Sequence, residues 1–294
     1  MTKPSDSTDG SKRRGLLALV ATPIGNLGDI GARALETLRT ADLIACEDTR
    51  VTAKLLQRFE IKRPTLPYHD HNAEAMRPKL IERLQRGETV ALVSDAGMPL
   101  ISDPGYKLVR AATAADIAVT VIPGPSAPLA ALVLSGLPSD RFLFAGFLPA
   151  KDGARRNALG ELKTVPATLL FFETGPRLAD SLTACRDVLG DRPAAVAREL
   201  TKLYEEVRRG ALSELARHYH EAGPPKGEIV LVIAPPDETA PEIDIDAALE
   251  QALRGMGVKE AATAVAAASG RPRREIYSRA LALAGRRPAS AGSE

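Results

Sequence analysis

Residues 90–105, VALVSDAGMPLISDPG, decide the fold. The first four are a buried-strand run that ends in Ser94-Asp95. A loop of glycine, proline and small residues follows, and Asp103-Pro104-Gly105 opens a helical pattern. A strand leading through such a loop into a helix is the unit of an open parallel α/β sheet, which holds its ligands at the carboxyl ends of its strands. Asp95 stands at that end. Gly97 and Gly105 tolerate φ > 0 or a close backbone approach, and Pro99 and Pro104 stiffen the loop. The loop reads as the floor of a small-molecule site.

The same unit repeats on both sides. Strands are expected over 16–21, 42–47, 65–68, 89–95 and 118–123, and helices over 30–40, 51–59, 73–86, 104–115 and 126–134. This alternation predicts a parallel, doubly wound sheet over 15–136. Leu137-Pro138-Ser139-Asp140 looks like a linker. A second α/β domain over 137–236 is expected, with strands over 141–149, 167–174, 194–197 and 227–234 and helices over 176–189 and 213–221. Its spacing is more hairpin-like, which predicts a mixed sheet.

Composition sets outer bounds. The 294 residues are ample for two medium domains. Cys46 and Cys185 make no disulfide framework, and no His/Cys cluster has metal-ligand spacing, so no metal is expected. His69-Asp70-His71-Asn72 reads as a polar rim loop. Residues 1–14 are polar without an apolar core and read as a disordered leader, and no apolar run reaches membrane-spanning length. A cytoplasmic protein is expected. The net charge of +2 hides an asymmetry: residues 251–294 hold eight basic and three acidic side chains, after six acidic and no basic ones in 237–250. The region 237–294 therefore reads as an acidic linker and a basic helical tail. Such a tail contacts nucleic acid or is a solvated helix face.

Three βα loops of the first half share the small-residue character: Thr22-Pro23-Ile24-Gly25-Asn26-Leu27-Gly28-Asp29, Asp95 to Gly105, and Pro123-Gly124-Pro125-Ser126-Ala127. One ligand touched by three strand ends is the expected geometry of such a sheet, although glycine and proline also serve tight turns alone. No G-x-G-x-x-G follows a strand and no G-x-x-x-x-G-K-[ST] occurs, which argues against the usual dinucleotide and nucleoside triphosphate sites.

TPIGNLGDI from Thr22, EDTR from Glu47, SDAGMPLISDPG from Ser94, PGPSA from Pro123, FFE from Phe171, RELTKLYEE from Arg198 and GEIVLVI from Gly227 occur in this order. Together they resemble the tetrapyrrole-methylase-like, class III S-adenosylmethionine methyltransferases. Within that family they resemble the branch that 2′-O-methylates a cytidine ribose in the decoding region of 16S rRNA. The resemblance implies two α/β domains with the donor in the cleft between them, a homodimer, and 16S rRNA or the small ribosomal subunit as partner. By motif, it implies a donor site of Pro23, Asp95, Ala96, Gly97, Pro99, Ile101, Ser126, Ala127, Phe172, Leu200, Ile229 and Val230. The family loop usually has threonine where this chain has Met98, which removes a hydroxyl.

Methyl transfer to a ribose hydroxyl needs in-line approach and removal of a proton. Glu47, Asp48, His69, His71 and Glu199 are the candidate bases. Arg50 and Arg198 are candidates to hold phosphate or to lower a neighbour's pKa. EDTR is also a plausible helix start, with Asp48 or Thr49 as cap. In the tail, residues 258–268 read as an Ala-rich helix. A break and a second helix follow, with Arg271, Arg273, Arg274 and Arg279 on the second element, which fits an RNA-binding helix–turn–helix or a packing pair. A small tetrapyrrole or protein acceptor in the same fold, and a non-catalytic RNA-binding protein, are the competing readings.

Overall fold

The computed structural model describes residues 15–236, 244–269 and 271–284. The expected leader, most of the acidic linker and Gly270 lie outside the described residues. The chain divides into two compact units after Pro235.

The first unit opens with β1 (Leu16–Val20), α1 (Ala32–Thr40), β2 (Leu43–Cys46), α2 (Thr49–Arg58), β3 (Thr65–Pro67), α3 (Ala73–Gln85), β4 (Thr89–Val93), α4 (Tyr106–Ala114), β5 (Ala118–Ile122) and α5 (Ala127–Ser135). The five strands form one parallel sheet in the order β3-β2-β4-β1-β5. Its central strands are apolar on both faces because helices cover both. Leu38 of α1 and Leu55 and Leu56 of α2 pack with Ile44 and Val93 on one face; Leu80 and Leu84 of α3 and Leu108 of α4 pack with Leu43 and Leu92 on the other.

The second sheet is built from β6 (Phe142–Phe147), β7 (Thr168–Thr174), β8 (Pro193–Arg198), β9 (Glu206–Ala211) and β10 (Glu228–Ile233), with α6 (Asp152–Leu162), α7 (Gly175–Leu189) and α8 (Leu212–Ala222) between them. Its order is β6-β7-β10-β8-β9. Only β6 and β7 pair in parallel; the other neighbours are antiparallel, so the sheet is mixed as expected. Side chains alternate along its strands. Leu169, Phe171, Leu231 and Ile233 face α6, α7 and α8, whereas Leu170, Phe172, Val230 and Val232 meet Ala131 and Leu132 of α5. The last helix of the first sheet thus covers the inner face of the second, which joins the two into one body with a cleft between them.

Three details depart from the sequence reading. The fourth helix starts at Tyr106, not Pro104, because Gly105 sits at φ 138 as its N-cap. The second strand stops at Cys46 and leaves Glu47 in the turn. Neither α6 nor β9 was expected. In the second unit, α9 (Ile245–Ala252), α10 (Val258–Ser269) and α11 (Arg273–Ala284) pack around Leu249, Val265, Ile276 and Ala280. Among the described residues no helix is long and apolar enough to cross a membrane.

Candidate functional site

A cavity of about 350 Å³ opens between the carboxyl ends of β2 and β4, the start of α5 and the inner face of the second sheet. Pairing between loops builds its floor. Thr22 and Gly97 exchange backbone hydrogen bonds of 2.9 and 3.1 Å, and the Thr22 hydroxyl donates to the Ser94 carbonyl at 3.2 Å. Gly97 holds φ 78 there, and a Cβ on it would press on Ile24 at 3.3 Å. Beyond it Leu100 (φ 74) and Ser102 (φ 66) are left-handed without being glycine. That backbone costs of order 1–3 kcal/mol per residue. It brings Ile101, Ser102 and Asp103 to the cavity wall.

The opposite wall is held by the turn between β8 and β9. Glu199 and Thr201 are also left-handed, at φ 51 and 64. The Glu199 carboxylate accepts from the Glu228 backbone N–H at 3.0 Å and from Lys202 Nζ at 2.9 Å, and Lys202 also reaches Glu228 at 3.0 Å. The Asn26 N–H donates to the Thr201 hydroxyl at 3.1 Å, so the turn bridges both sheets beside the cavity. Lys202 holds the Glu199 carboxyl below its usual range. The Glu199 carboxylate clamps the start of β10 through these bonds, and its neighbour Leu200 lines the cavity. Arg198 likewise pairs with Glu206 at 3.0 Å and donates to the Lys226 carbonyl.

Of the twelve residues expected around a ligand, Asp95, Ala96, Gly97, Ile101, Ser126, Ala127, Phe172, Leu200, Ile229 and Val230 line this one cavity. Pro23 and Pro99 are buried in their loops and do not line it. Ser126 occupies the N-cap position of α5 but makes no capping bond with its side chain. Met98 lies on the wall, and the floor's pairing uses the Thr22 and Gly97 backbones and the Thr22 hydroxyl but no side chain at 98, so the loss of a hydroxyl there leaves it intact.

The EDTR residues separate in role. Asp48 is the N-cap of α2: it accepts from the Arg50 N–H at 2.8 Å and pairs with the Arg50 guanidinium at 2.6 Å. Those bonds hold its carboxyl at about 2. Glu47 points into the cavity instead. Burial, then the nearby Asp103 and Asp95 charges, push its pKa up. Burial likewise raises Asp95, which accepts from the Asp48 N–H at 3.0 Å, and raises Asp103. The sequence reading passed over Asp103, because Asp-Pro-Gly there read as a helix start. His69 and His71 sit in the loop after β3, their ring centroids 6.0 Å apart, and do not line the cavity.

The lining holds five carboxylates and no lysine, arginine or histidine. Glu173 and Glu228 are paired with Arg177 and Lys202, whereas Glu47, Asp95 and Asp103 form no ion pair among the described residues. Three desolvated carboxylates between apolar walls repel phosphate and attract a cation with an apolar body. Without a bound cation they oppose folding. A folded pKa above the unfolded one means the native state holds more protons, so stability falls as pH rises from the ordinary carboxylate range through the raised value. Asp103→Asn should raise the thermal midpoint of the ligand-free protein at neutral pH by about 2–4 °C, the shift that ~1 kcal/mol produces in a body this size. A midpoint unchanged or lowered in a thermal melt would contradict this.

The second unit presents its basic residues unequally. Arg279 is bound by Asp246 at 2.7 Å, and Arg271, which precedes α11, pairs with Glu275 at 3.1 Å. Arg273 and Arg274 are exposed on the first turn of α11 and form no ion pair among the described residues.

Comparison with known proteins shows the family. The model of the tetrapyrrole (corrin/porphyrin) methylases matches residues 16–216, and that of the RsmI C-terminal HTH domain matches 239–284. A ribosomal RNA small subunit methyltransferase I of Mesorhizobium japonicum is 56% identical over 91% of this chain and 92% of its own length. The protein of that name from Escherichia coli O157:H7 is 44% identical over 95% of this chain and 98% of its own. Among solved structures, a uroporphyrin-III-C-methyltransferase from Thermus thermophilus superposes with a TM-score of 0.54 at 22% identity, covering 75% of this chain and 94% of that one. A diphthine synthase does so at 0.58 and 20%, covering 74% and 90%. These structures share the fold with different acceptors in their names. The chain belongs to the tetrapyrrole methylase family and, within it, to the ribosomal RNA small subunit methyltransferase I group.

Proposed function

We propose that this protein transfers a methyl group from S-adenosylmethionine to the 2′-oxygen of a cytidine ribose in the decoding region of 16S rRNA, acting in the cytoplasm as a homodimer. The cavity carries the reading: three unpaired carboxylates, apolar walls and no basic residue suit a sulfonium cation with an adenosine body. Asp95 and the Ala96-Gly97 backbone hold the donor from the first sheet; Ile101, Ser126, Ala127, Phe172, Leu200, Ile229 and Val230 enclose it, and Pro23 and Pro99 act by stiffening the loops. When bound, the donor supplies an electrophilic methyl group. Glu47 takes the proton of the attacking 2′-hydroxyl, and its raised pKa makes it the stronger base of the EDTR pair. Asp48 and Arg50 fix the turn that aims Glu47.

The homodimer rests on the sheet edges. β3 ends in Pro67 and β9 carries Arg208 and Arg209, both common guards of an open edge. β5 and β6 instead expose Val121 and Phe142, and α5 exposes Leu129 and Val133. In this reading a second copy of this chain covers these apolar residues. Sedimentation as a single copy at micromolar concentration would remove this part of the proposal.

The helical unit delivers the RNA. Arg273→Glu with Arg274→Glu should raise the KM for small subunits at least tenfold and flatten its salt dependence by about two phosphate contacts, with donor affinity unchanged. Steady-state kinetics at two salt concentrations decide it; an unchanged KM would show that α11 does not touch RNA.

The reaction is tested with labelled donor and small subunits lacking the modification, followed by alkaline hydrolysis. Label in an alkali-resistant dinucleotide containing cytidine is the expected result. Label in mononucleotides would mean base methylation. No label in RNA, with donor bound, would send the search to another acceptor.

A further inference from the structure

The row of the second sheet that lines the cavity ends in an exposed ring. Phe147 of β6, Phe172 of β7, Val230 of β10 and Ala197 of β8 stand opposite one another in register, and all four line the cavity. Exposure falls along the row: Phe147 is 54% exposed, Val230 4% and Ala197 0%. The cavity is closed at β8 and open at β6, and Phe147 stands at its mouth.

A bulge puts it there. Side chains alternate along a strand. Leu143 packs with the core under α6, α7 and α8, and Phe144 with the inner core beside α5. Strict alternation would send residue 147 outward with Leu143. Instead Phe144 pairs with Leu170 and Phe147 with Phe172, three steps on β6 against two on β7. The extra residue reverses the alternation and turns Phe147 inward, as bulges beside active sites do. Gly146 supplies the left-handed backbone, at φ 69. The ring does not serve the core: Phe144 and Phe172 belong to the inner cluster and Phe147 does not. Its centroid lies 5.3 Å from that of Phe172, which Phe144 backs at 4.8 Å. A ring so propped loses little freedom when something stacks on its open side.

Position and charge select what stacks there. A Cβ on Gly146 would meet Ser102 Oγ at 3.5 Å, so the bulge lies against the loop that carries Asp103, whose charge acts on Glu47. The mouth therefore adjoins the carboxylate that takes the proton. The lining offers a polyanion no lysine, arginine or histidine, so an uncharged contact has to hold the nucleotide that enters. A ribose can reach the cavity only when its nucleotide leaves the helical stack, which bares the face of its base. An aromatic ring replaces the lost neighbour.

We infer that Phe147 is the stacking face for the base of the nucleotide whose ribose is methylated. The inference rests on the RNA acceptor proposed above.

The test compares Phe147→Ala, Phe147→Leu and Phe147→Tyr with the wild type on small subunits lacking the modification. A stack made equally before and during transfer shows in KM and not in kcat. Phe147→Ala should raise the KM for the subunit roughly 5- to 150-fold, with kcat within about threefold and the donor Kd within about twofold. Phe147→Leu, which keeps apolar bulk without a π-face, should not restore the KM, and Phe147→Tyr should. A wild-type KM in Phe147→Ala overturns the inference while the RNA reading stands. A wild-type KM in Phe147→Leu would overturn it by showing that apolar bulk suffices. A donor Kd weakened as much as the KM would overturn it by assigning the ring to the donor's adenine. Variants that sediment as single copies where the wild type dimerises would overturn it by assigning the ring to an interface between copies. A wild type that labels no RNA removes both readings.

Discussion

Glu47→Gln should lower the rate of methyl transfer by about 10²- to 10⁴-fold at saturating donor, the range that a positioned base contributes. Glutamine keeps the size and one hydrogen-bonding oxygen of the side chain and loses the proton acceptor. Asp48 and Glu199 should not substitute. Asp48 is held at about 2 by Arg50, and Glu199 is engaged by Lys202 and the Glu228 N–H. The wild-type rate should fall as pH drops through the raised Glu47 value, above the ordinary glutamate range, and the variant should lose that inflection. Donor affinity should change only severalfold, because Asp95 and Asp103 remain. A variant that turns over normally in a single-turnover assay would hand the proton to another group, with Asp103 next in line.

The second large effect is on stability. The Glu173 side chain is fully buried at the end of β7. It accepts from the Ser181 hydroxyl at 2.6 Å and from the Thr174 N–H at 2.8 Å, and it lies 3.2 Å from Arg177 Nε. Arg177 in turn donates to the Leu148 carbonyl. Removing one member of such a buried pair leaves the other's charge uncompensated and costs about 3–5 kcal/mol. Glu173→Ala should lose that much in urea unfolding, a large share of the 5–15 kcal/mol typical of a native protein. Phe172, the residue before it, lines the cavity, as Glu173 itself does, so donor affinity should weaken as well. A loss under 1 kcal/mol would mean that water already reaches Arg177.

Much of the first sheet was legible because its strands are continuous apolar runs bounded by glycine and proline, such as LLALV and TVALV. The second half was harder for physical reasons. β9 reads EVRRGA: as an edge strand it needs little apolar surface, so it carries no periodic signal. α6 reads DGARRNALGEL, with two glycines and few apolar residues, and buries Arg155 beside Leu159. The motifs marked the cavity loops, but not which carboxylate faces inward. That depends on where β2 stops: Asp48 turns back to cap α2, and Glu47, one residue earlier, is left facing the cavity. Nor does sequence reveal that Leu100, Ser102, Glu199 and Thr201 adopt a backbone that glycine usually supplies. Tertiary pairing alone imposes it.

The strand order also governs how the chain emerges from the ribosome. β1 sits between β4 and β5, and its partners lie about 70 and 100 residues downstream. At ~5–20 residues per second, roughly 5–20 s of synthesis separate Leu16 from the strand that completes its pairing. Until β4 is made the apolar LLALV run has neither neighbour, and until β5 follows it has only one. The β8–β9 hairpin, by contrast, closes over a short turn within a second or two. Topological distance of this kind slows folding. The oldest strand of the nascent chain therefore waits longest for its partners, and the protein's yield depends on keeping it from pairing elsewhere while it waits.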